Sequence, residues 1–195
     1  MKLNPSFYTR PDVVQVARDL IGKYLFTQFD GGITTGIIIE TEAYEGVTDR
    51  ASHAFGDRRT ARTEVMYAEG GIAYVYLCYG IHSLFNVVTN HKDIPHAVLI
   101  RGIYPVEGME IMLKRINQEK MMHSSGTGPG RVSKLLGIHY SHSGIDLQGD
   151  RIWIEDRGLN LDDQIKTGQR IGVDYAGIDA LLPYRFWVPA ENVWK

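Results

Sequence analysis

TGIIIETEAY (residues 35–44) runs three consecutive isoleucines into two glutamates and a tyrosine. β-Branched and aromatic residues favour an extended chain, and turn formers bound the run, so it reads as a strand. Side chains of a strand alternate between faces. Ile38, Glu40, Glu42 and Tyr44 are therefore expected on one face, and Ile37, Ile39, Thr41 and Ala43 on the other. A glutamate among apolar neighbours costs free energy unless it is paired; otherwise its pKa rises and it becomes available for proton chemistry. The plainer alternative is that both acids sit at the solvent end of the strand or pair with arginines.

Working outward, KYLFTQF, IAYVYLCYG, SLFNVVTN, HAVLIRGIYP, DRIWIED, QRIGVDY and PYRFWV read as further strands. TRPDVVQVARDLIGKYL predicts a helix with Thr9 as N-cap, Pro11 in its first turn, Asp12 three residues after the threonine, and an end near Gly22. VEGMEIMLKRINQEK carries Met109, Met112, Leu113 and Ile116 at helical spacing, and GRVSKLL is a short helix introduced by GTGPG. Strands in succession with few helical interruptions predict an α+β fold on an antiparallel sheet. No repeat, low-complexity tract or charged linker divides the chain, so residues 1–195 are expected to form a single domain.

Composition narrows the class. At 195 residues and 44% hydrophobic content the chain can bury a core without staples. A single cysteine, Cys78, excludes an intramolecular disulfide framework and a cysteine-rich zinc site. No apolar run reaches the roughly 18 residues of a membrane span, and MKLNPSFYTRPDVV has no apolar leader core, so the expectation is a cytoplasmic protein without a membrane partner. A formal net charge of −2 gives no global basic field, so any nucleic-acid surface must be local.

One segment supplies such a surface. DRASHAFGDRRTARTEVMY places His53 shortly after the glutamates and then Arg58, Arg59 and Arg62 within five positions. Arginine donors suit phosphate recognition, although loop arginines are commonly just solvated. In IAYVYLCYGIHSLFNVV, Tyr74, Tyr76 and Cys78 are expected to face one way and Val75, Leu77 and Tyr79 the other, with Gly80 at the turn. Tyr79 would then stand at a hairpin tip with little core to pack on, a candidate wedge between base steps. Tyr44 and Tyr76 offer faces on which a base can stack.

ETEAY, ASHAFGDRRTART, YVYLCYGIHSLFNVV, AVLIRGIYPVEG, GPGRVSKLLGI, RIGVDYAG and PYRF together resemble, in order and over almost the whole chain, the methylpurine (alkyladenine) DNA glycosylases. That resemblance implies a single α+β domain with a curved antiparallel sheet, peripheral helices and a protruding β-hairpin. It also implies a bacterial-type monofunctional enzyme, needing no cofactor and no metal, that acts as a monomer on double-stranded DNA containing damaged purines. Position by position it implies Glu42 as the base that activates water, with Arg101 and the backbone carbonyl of Ile171 helping to hold that water. Tyr44 is implied on one side of the flipped base, and His53 and Tyr76 on the other. Asn86 is implied to crowd the 2-amino group of normal guanine. Tyr79 corresponds to the wedge, Met66 to a neighbour pressing on the opposite strand, and Arg58 and Thr60 to contacts with the DNA backbone; Glu40 takes a supporting role. Asp57 stands inside the arginine loop, Ala61 where a proline is common, and Arg131 where a lysine is also found.

Three other readings fit the sequence less well. A metal hydrolase lacks an HExxH motif, and His139 and His142 have no nearby acid in a recognised ligand pattern. A carbohydrate hydrolase using Glu40 and Glu42 fits poorly, because same-face neighbours on one strand do not flank a scissile bond. A noncatalytic damaged-DNA or RNA binding module would account for the sheet, hairpin and basic loop, but a carboxylate beside phosphates would oppose its affinity.

Overall fold

The computed structural model describes residues 1–193. Two short helices, α1 (Pro5–Tyr8) and α2 (Val13–Asp19), precede strands β1 (Tyr24–Phe29) and β2 (Gly32–Tyr44). The hairpin β3 (Ala73–Cys78) and β4 (His82–Thr89) is followed by β5 (His96–Glu107), α3 (Met109–Ile116) and α4 (Pro129–Leu136). Three short strands close the order, β6 (Ile152–Glu155), β7 (Lys166–Gly168) and β8 (Arg185–Trp187). Among the described residues these strands form an eight-stranded antiparallel sheet in the order β3-β4-β5-β2-β1-β6, with β8 pairing β2 and β7. The α+β architecture follows the sequence expectation. No helix among the described residues is long and apolar enough to cross a membrane.

Two local expectations fail for identifiable reasons. Thr9 is not an N-cap: it closes α1, whose own cap is Asn4 followed by Pro5, and α2 is capped by Asp12, whose Oδ1 accepts the Gln15 N–H at 2.8 Å. Arg10 precedes Pro11, and a residue before proline is steered away from the α region, so the helix restarts only at Val13. QRIGVDY is not a strand. β7 ends at Gly168, Gly172 has φ +76°, and a 3₁₀ segment begins at Asp174.

The long central strand does not keep the simple alternation. Ile38 pairs with Ile103 and Glu40 with Gly102, leaving Ile39 extra on β2; Thr41 then pairs with Ile100, leaving Arg101 extra on β5. Each extra residue is a β-bulge, which re-aims the side chains that follow it. The faces shift accordingly: Ile38, Thr41 and Ala43 look toward α2 and the main core, whereas Ile37 and Ile39 join a second cluster on the opposite side. Ile38 is thus parted from Glu40, Glu42 and Tyr44. Gly102 accommodates the close approach, since a Cβ there would lie 2.9 Å from the Glu40 Cβ.

Beyond the bulges the alternation is regular. Val75, Phe85, Val87, Val98 and Ile100 pack with Val132, Leu135 and Leu136 of α4 in the main core. Tyr74, Tyr76, Leu84, Asn86, Leu99 and Glu42, at the intervening positions, face the other way and line a cavity.

Candidate active site

Cross-strand register brings four of these residues into one rung: Glu42 opposite Leu99, Leu99 opposite Asn86, and Asn86 opposite Tyr74. The rung floors a cavity of about 260 Å³, walled by Tyr44, His53 and Tyr76 and rimmed by Tyr79, Tyr175 and Pro129 at the start of α4.

Glu42 is fully buried, with 0% exposure. Its Oε1 accepts the backbone N–H of Ile171 at 2.8 Å, and its Oε2 accepts the Tyr44 hydroxyl at 2.9 Å. Arg101 approaches Oε1 at 3.5 Å. Burial pushes the Glu42 pKa above the ordinary carboxylate value; Arg101, the Ile171 N–H and the Tyr44 hydroxyl pull it back, and Glu40 adds to the rise. The result is a buried carboxylate with raised proton affinity at the floor of a cavity, the usual situation of a general base.

The plainer reading of the glutamates holds for Glu40. Its Oε1 accepts from Arg101 Nε at 3.1 Å and from Arg185 Nε at 2.6 Å. Arg185 comes from β8, which pairs β2 across Glu40–Glu42, so the short strand completes the ion cluster. The bulge that leaves Arg101 unpaired in the ladder sets its guanidinium between the two acids.

On the opposite wall, His53 Nδ1 lies 2.8 Å from the Tyr74 hydroxyl and Nε2 lies 3.2 Å from Arg62 Nη2. A guanidinium only donates, so Nε2 accepts and the ring proton sits on Nδ1, donating to Tyr74. Burial, followed by the charges of Arg62 and Arg58, lowers the His53 pKa to about 4, leaving the ring neutral at pH 7. His53 meets Tyr76 edge-on, with centroids 4.6 Å apart. Asn86 Nδ2 donates to the carbonyls of Tyr74 (3.1 Å) and Leu84 (3.3 Å), so Oδ1 is the polar atom it offers the cavity.

Two residues that sequence reasoning passed over fix the Tyr44 wall. Arg170 stands 4.9 Å from the Tyr44 ring centroid and 5.3 Å from that of Tyr184. It makes a bidentate, fully buried ion pair with Asp49 and donates to the carbonyls of Ala43 (2.9 Å) and Asp179 (3.0 Å). Asp49 and Arg170 lie 121 positions apart, and neither belongs to a periodic pattern that would announce the pairing. Tyr175, on the rim, anchors its hydroxyl to the Ala51 carbonyl at 3.1 Å.

A shallow groove adjoins the cavity, sharing His53 and Tyr175 with it and lined by Arg50, Arg58, Thr60 and Arg62. Arg59 does not join them; its guanidinium is held by Glu64 and Asp93 and lies over Tyr67. Asp57 accepts the Tyr67 hydroxyl at 3.0 Å, which gives this acid a structural partner inside the loop. Tyr79 stands at the hairpin tip, 91% exposed, in left-handed backbone with φ +51° beside Gly80 at φ +73°. That turn breaks the alternation, so Tyr79 comes to the cavity rim together with Tyr76 and Cys78 instead of facing away from them. Met66 is a correction. It is 2% exposed, packed with Tyr67, Tyr74 and Val88, and lines the cavity from within, where it cannot press on an opposite DNA strand. Exposed Ile81 and Leu77 are the apolar neighbours of Tyr79 at the hairpin end.

This arrangement can be set beside known proteins. Residues 6–192 match the family model "Methylpurine-DNA glycosylase (MPG)". Proteins bearing the name "Putative 3-methyladenine DNA glycosylase" are similar along nearly their whole length. That of Chlamydia abortus is 46% identical over 97% of this chain and 100% of the relative, and that of Bacillus cereus strain G9842 is 41% identical over 96% and 95%. A buried carboxylate among aromatic walls, and a match that leaves almost no residue outside it, lead to one conclusion: the chain belongs to the methylpurine-DNA glycosylase family.

Proposed function

We propose that the protein takes an alkylated or deaminated purine nucleotide out of duplex DNA into the Tyr44–His53–Tyr76 cavity and hydrolyses its N-glycosidic bond, leaving an abasic site. The observation that carries this reading is Glu42: a carboxylate with no solvent exposure, at the floor of an aromatic cavity, fastened by two hydrogen bonds. Glu42 takes the proton of a water that attacks C1′ as the bond breaks, and its charge stabilises the cation developing on the sugar. Arg101 and the Ile171 carbonyl help to hold that water, while the Ile171 N–H holds the carboxylate. Methylation at N3 or N7 makes the purine cationic and a better leaving group; hypoxanthine or ethenoadenine needs protonation or strong hydrogen bonding as it leaves. Extrusion costs a few kcal/mol and least for damaged or mispaired bases, which adds selectivity. Asn86 crowds the 2-amino group of normal guanine.

Among the described residues no lysine lines the cavity, so no amine is placed for a covalent intermediate, in keeping with a monofunctional enzyme. The test is single-turnover base release from duplexes carrying 3-methyladenine, 7-methylguanine, hypoxanthine, ethenoadenine or no lesion. Free base with an uncut, alkali-labile strand is expected; binding without release would leave the binding-module reading.

Tyr79 fills the gap left by the extruded nucleotide. Tyr79→Gly removes the wedge and relieves the left-handed strain of a bulky residue, so the melting temperature should not fall. Base release should drop by about tenfold or more, because the side chain no longer offsets an unstacking cost of a few kcal/mol. Unimpaired release from a stably paired lesion would remove Tyr79 from that role.

A further inference from the structure

Each tyrosine wall of the cavity has a guanidinium at 4.9 Å from its ring centroid: Arg170 behind Tyr44 and Arg62 behind Tyr76. Neither arginine lines the cavity itself, so each reaches its ring from outside. A cation on one face of an aromatic ring uses part of the quadrupole that would attract a second cation on the other face, and the two cations repel. The two arginines are not equivalent. Arg170 is neutralised by its bidentate pair with Asp49, whereas Arg62 has no carboxylate within ion-pair distance among the described residues. Its polar partners are the neutral ring of His53, which itself stands edge-on to Tyr76, and the Tyr74 hydroxyl.

We propose that Arg62 sets the charge preference of the base pocket: its unpaired guanidinium, set against Tyr76 and bonded to His53, makes that wall electropositive and weakens selection for positively charged purines over neutral ones. The proposal rests on the glycosylase reading and deepens it, because stacking area is kept while the attraction for a cationic base is reduced on one side. The low pKa of His53 agrees with the same field, since Arg62 is the foremost charge that opposes protonation of the ring. Arg62 acts through Tyr76 and His53, as a positioning and field-setting residue.

The experiment is single-turnover base release at saturating enzyme from duplexes with 7-methylguanine, a cation, or hypoxanthine, a neutral base. Wild type is compared with Arg62→Gln, Arg62→Lys and Arg58→Gln. Arg62→Gln should raise the ratio of 7-methylguanine to hypoxanthine rates by about threefold or more, the size of one cation–π contact. Arg62→Lys should keep the wild-type ratio, and Arg58→Gln, whose charge acts on His53 less than that of Arg62 does, should change it less than Arg62→Gln. The His53 imidazole resonance should titrate at higher pH in Arg62→Gln and at the wild-type pH in Arg62→Lys. An unchanged ratio in Arg62→Gln, with both rates lowered together, would make Arg62 a phosphate contact only and overturn the proposal. A shift reproduced in full by Arg62→Lys would overturn it as well, by assigning the effect to shape and not charge. If wild type released neither base, the glycosylase reading itself would fall, an outcome distinct from both.

Discussion

Glu42→Gln should abolish base release, by about 10²–10⁴-fold in single-turnover rate, while leaving lesion-duplex affinity in place and making the protein more stable at neutral pH. The three effects have one origin. Burial raises the Glu42 pKa in the folded protein. A group with a raised folded pKa contributes stability that is complete below its unfolded pKa and is lost as pH rises through the folded one. At pH 7, above the unfolded pKa, Glu42 is therefore a cost to the fold, and glutamine, which has no proton to lose, avoids it. The stability advantage of the variant should shrink as pH falls below the folded pKa of Glu42. Activity in the wild type should run the other way, declining on the acid side as the base is protonated. Arg101 is the leading influence that holds this pKa down, so Arg101→Gln should move the acid limb of the rate profile to higher pH. Rate profiles and thermal melts across pH check both. A Glu42→Gln protein that still releases base, or one that melts lower at pH 7, would contradict the assignment.

How much of this site was legible in the sequence depended on whether a local rule was enough. The strand face bearing Glu42 and Tyr44 followed from alternation, because β2 is regular from Thr41 onward. The expectation for Ile38 failed because two bulges intervene, and a bulge inserts one residue without any compositional mark beyond a tolerant glycine such as Gly102. Tyr79 at the hairpin tip was readable from the glycine beside it, yet its turn toward the cavity came from a positive φ that sequence does not announce. Met66 was placed at the DNA by resemblance alone; its burial reflects three-dimensional packing against Tyr67, Tyr74 and Val88. QRIGVDY looked like a strand because Ile171, Val173 and Tyr175 are β-branched or aromatic. Arg170 instead anchors that segment to Asp49 and the chain turns at Gly172, so a buried ion pair overrode local β preference.

That ion pair carries the other large expected effect. Asp49→Ala should lower stability by about 3–5 kcal/mol, because it leaves the Arg170 charge buried and uncompensated in a place where its side chain has 0% exposure. For a chain of this size that is a fall in melting temperature on the order of 10 °C. Loss of the exposed Arg59–Glu64 pair by Glu64→Ala, in contrast, should leave the melt almost unmoved, since solvent already screens it. The site should also suffer while the variant is still folded. Arg170 ties the end of β2 at Ala43, the loop at Asp49 and the segment at Asp179 together, and its ring contact backs Tyr44. The next residue along, Ile171, supplies the N–H that fixes Glu42, and Tyr44 supplies the hydroxyl. Both tethers of the carboxylate therefore hang on one guanidinium. Displacing a catalytic group by about 1 Å costs on the order of 10²-fold in rate. Measured well below its melting temperature, Asp49→Ala should accordingly lose roughly tenfold to a hundredfold in base release. A variant that melts early but releases base at the wild-type rate when folded would confine Arg170 to stability, and Glu42 would have to be held by its own strand.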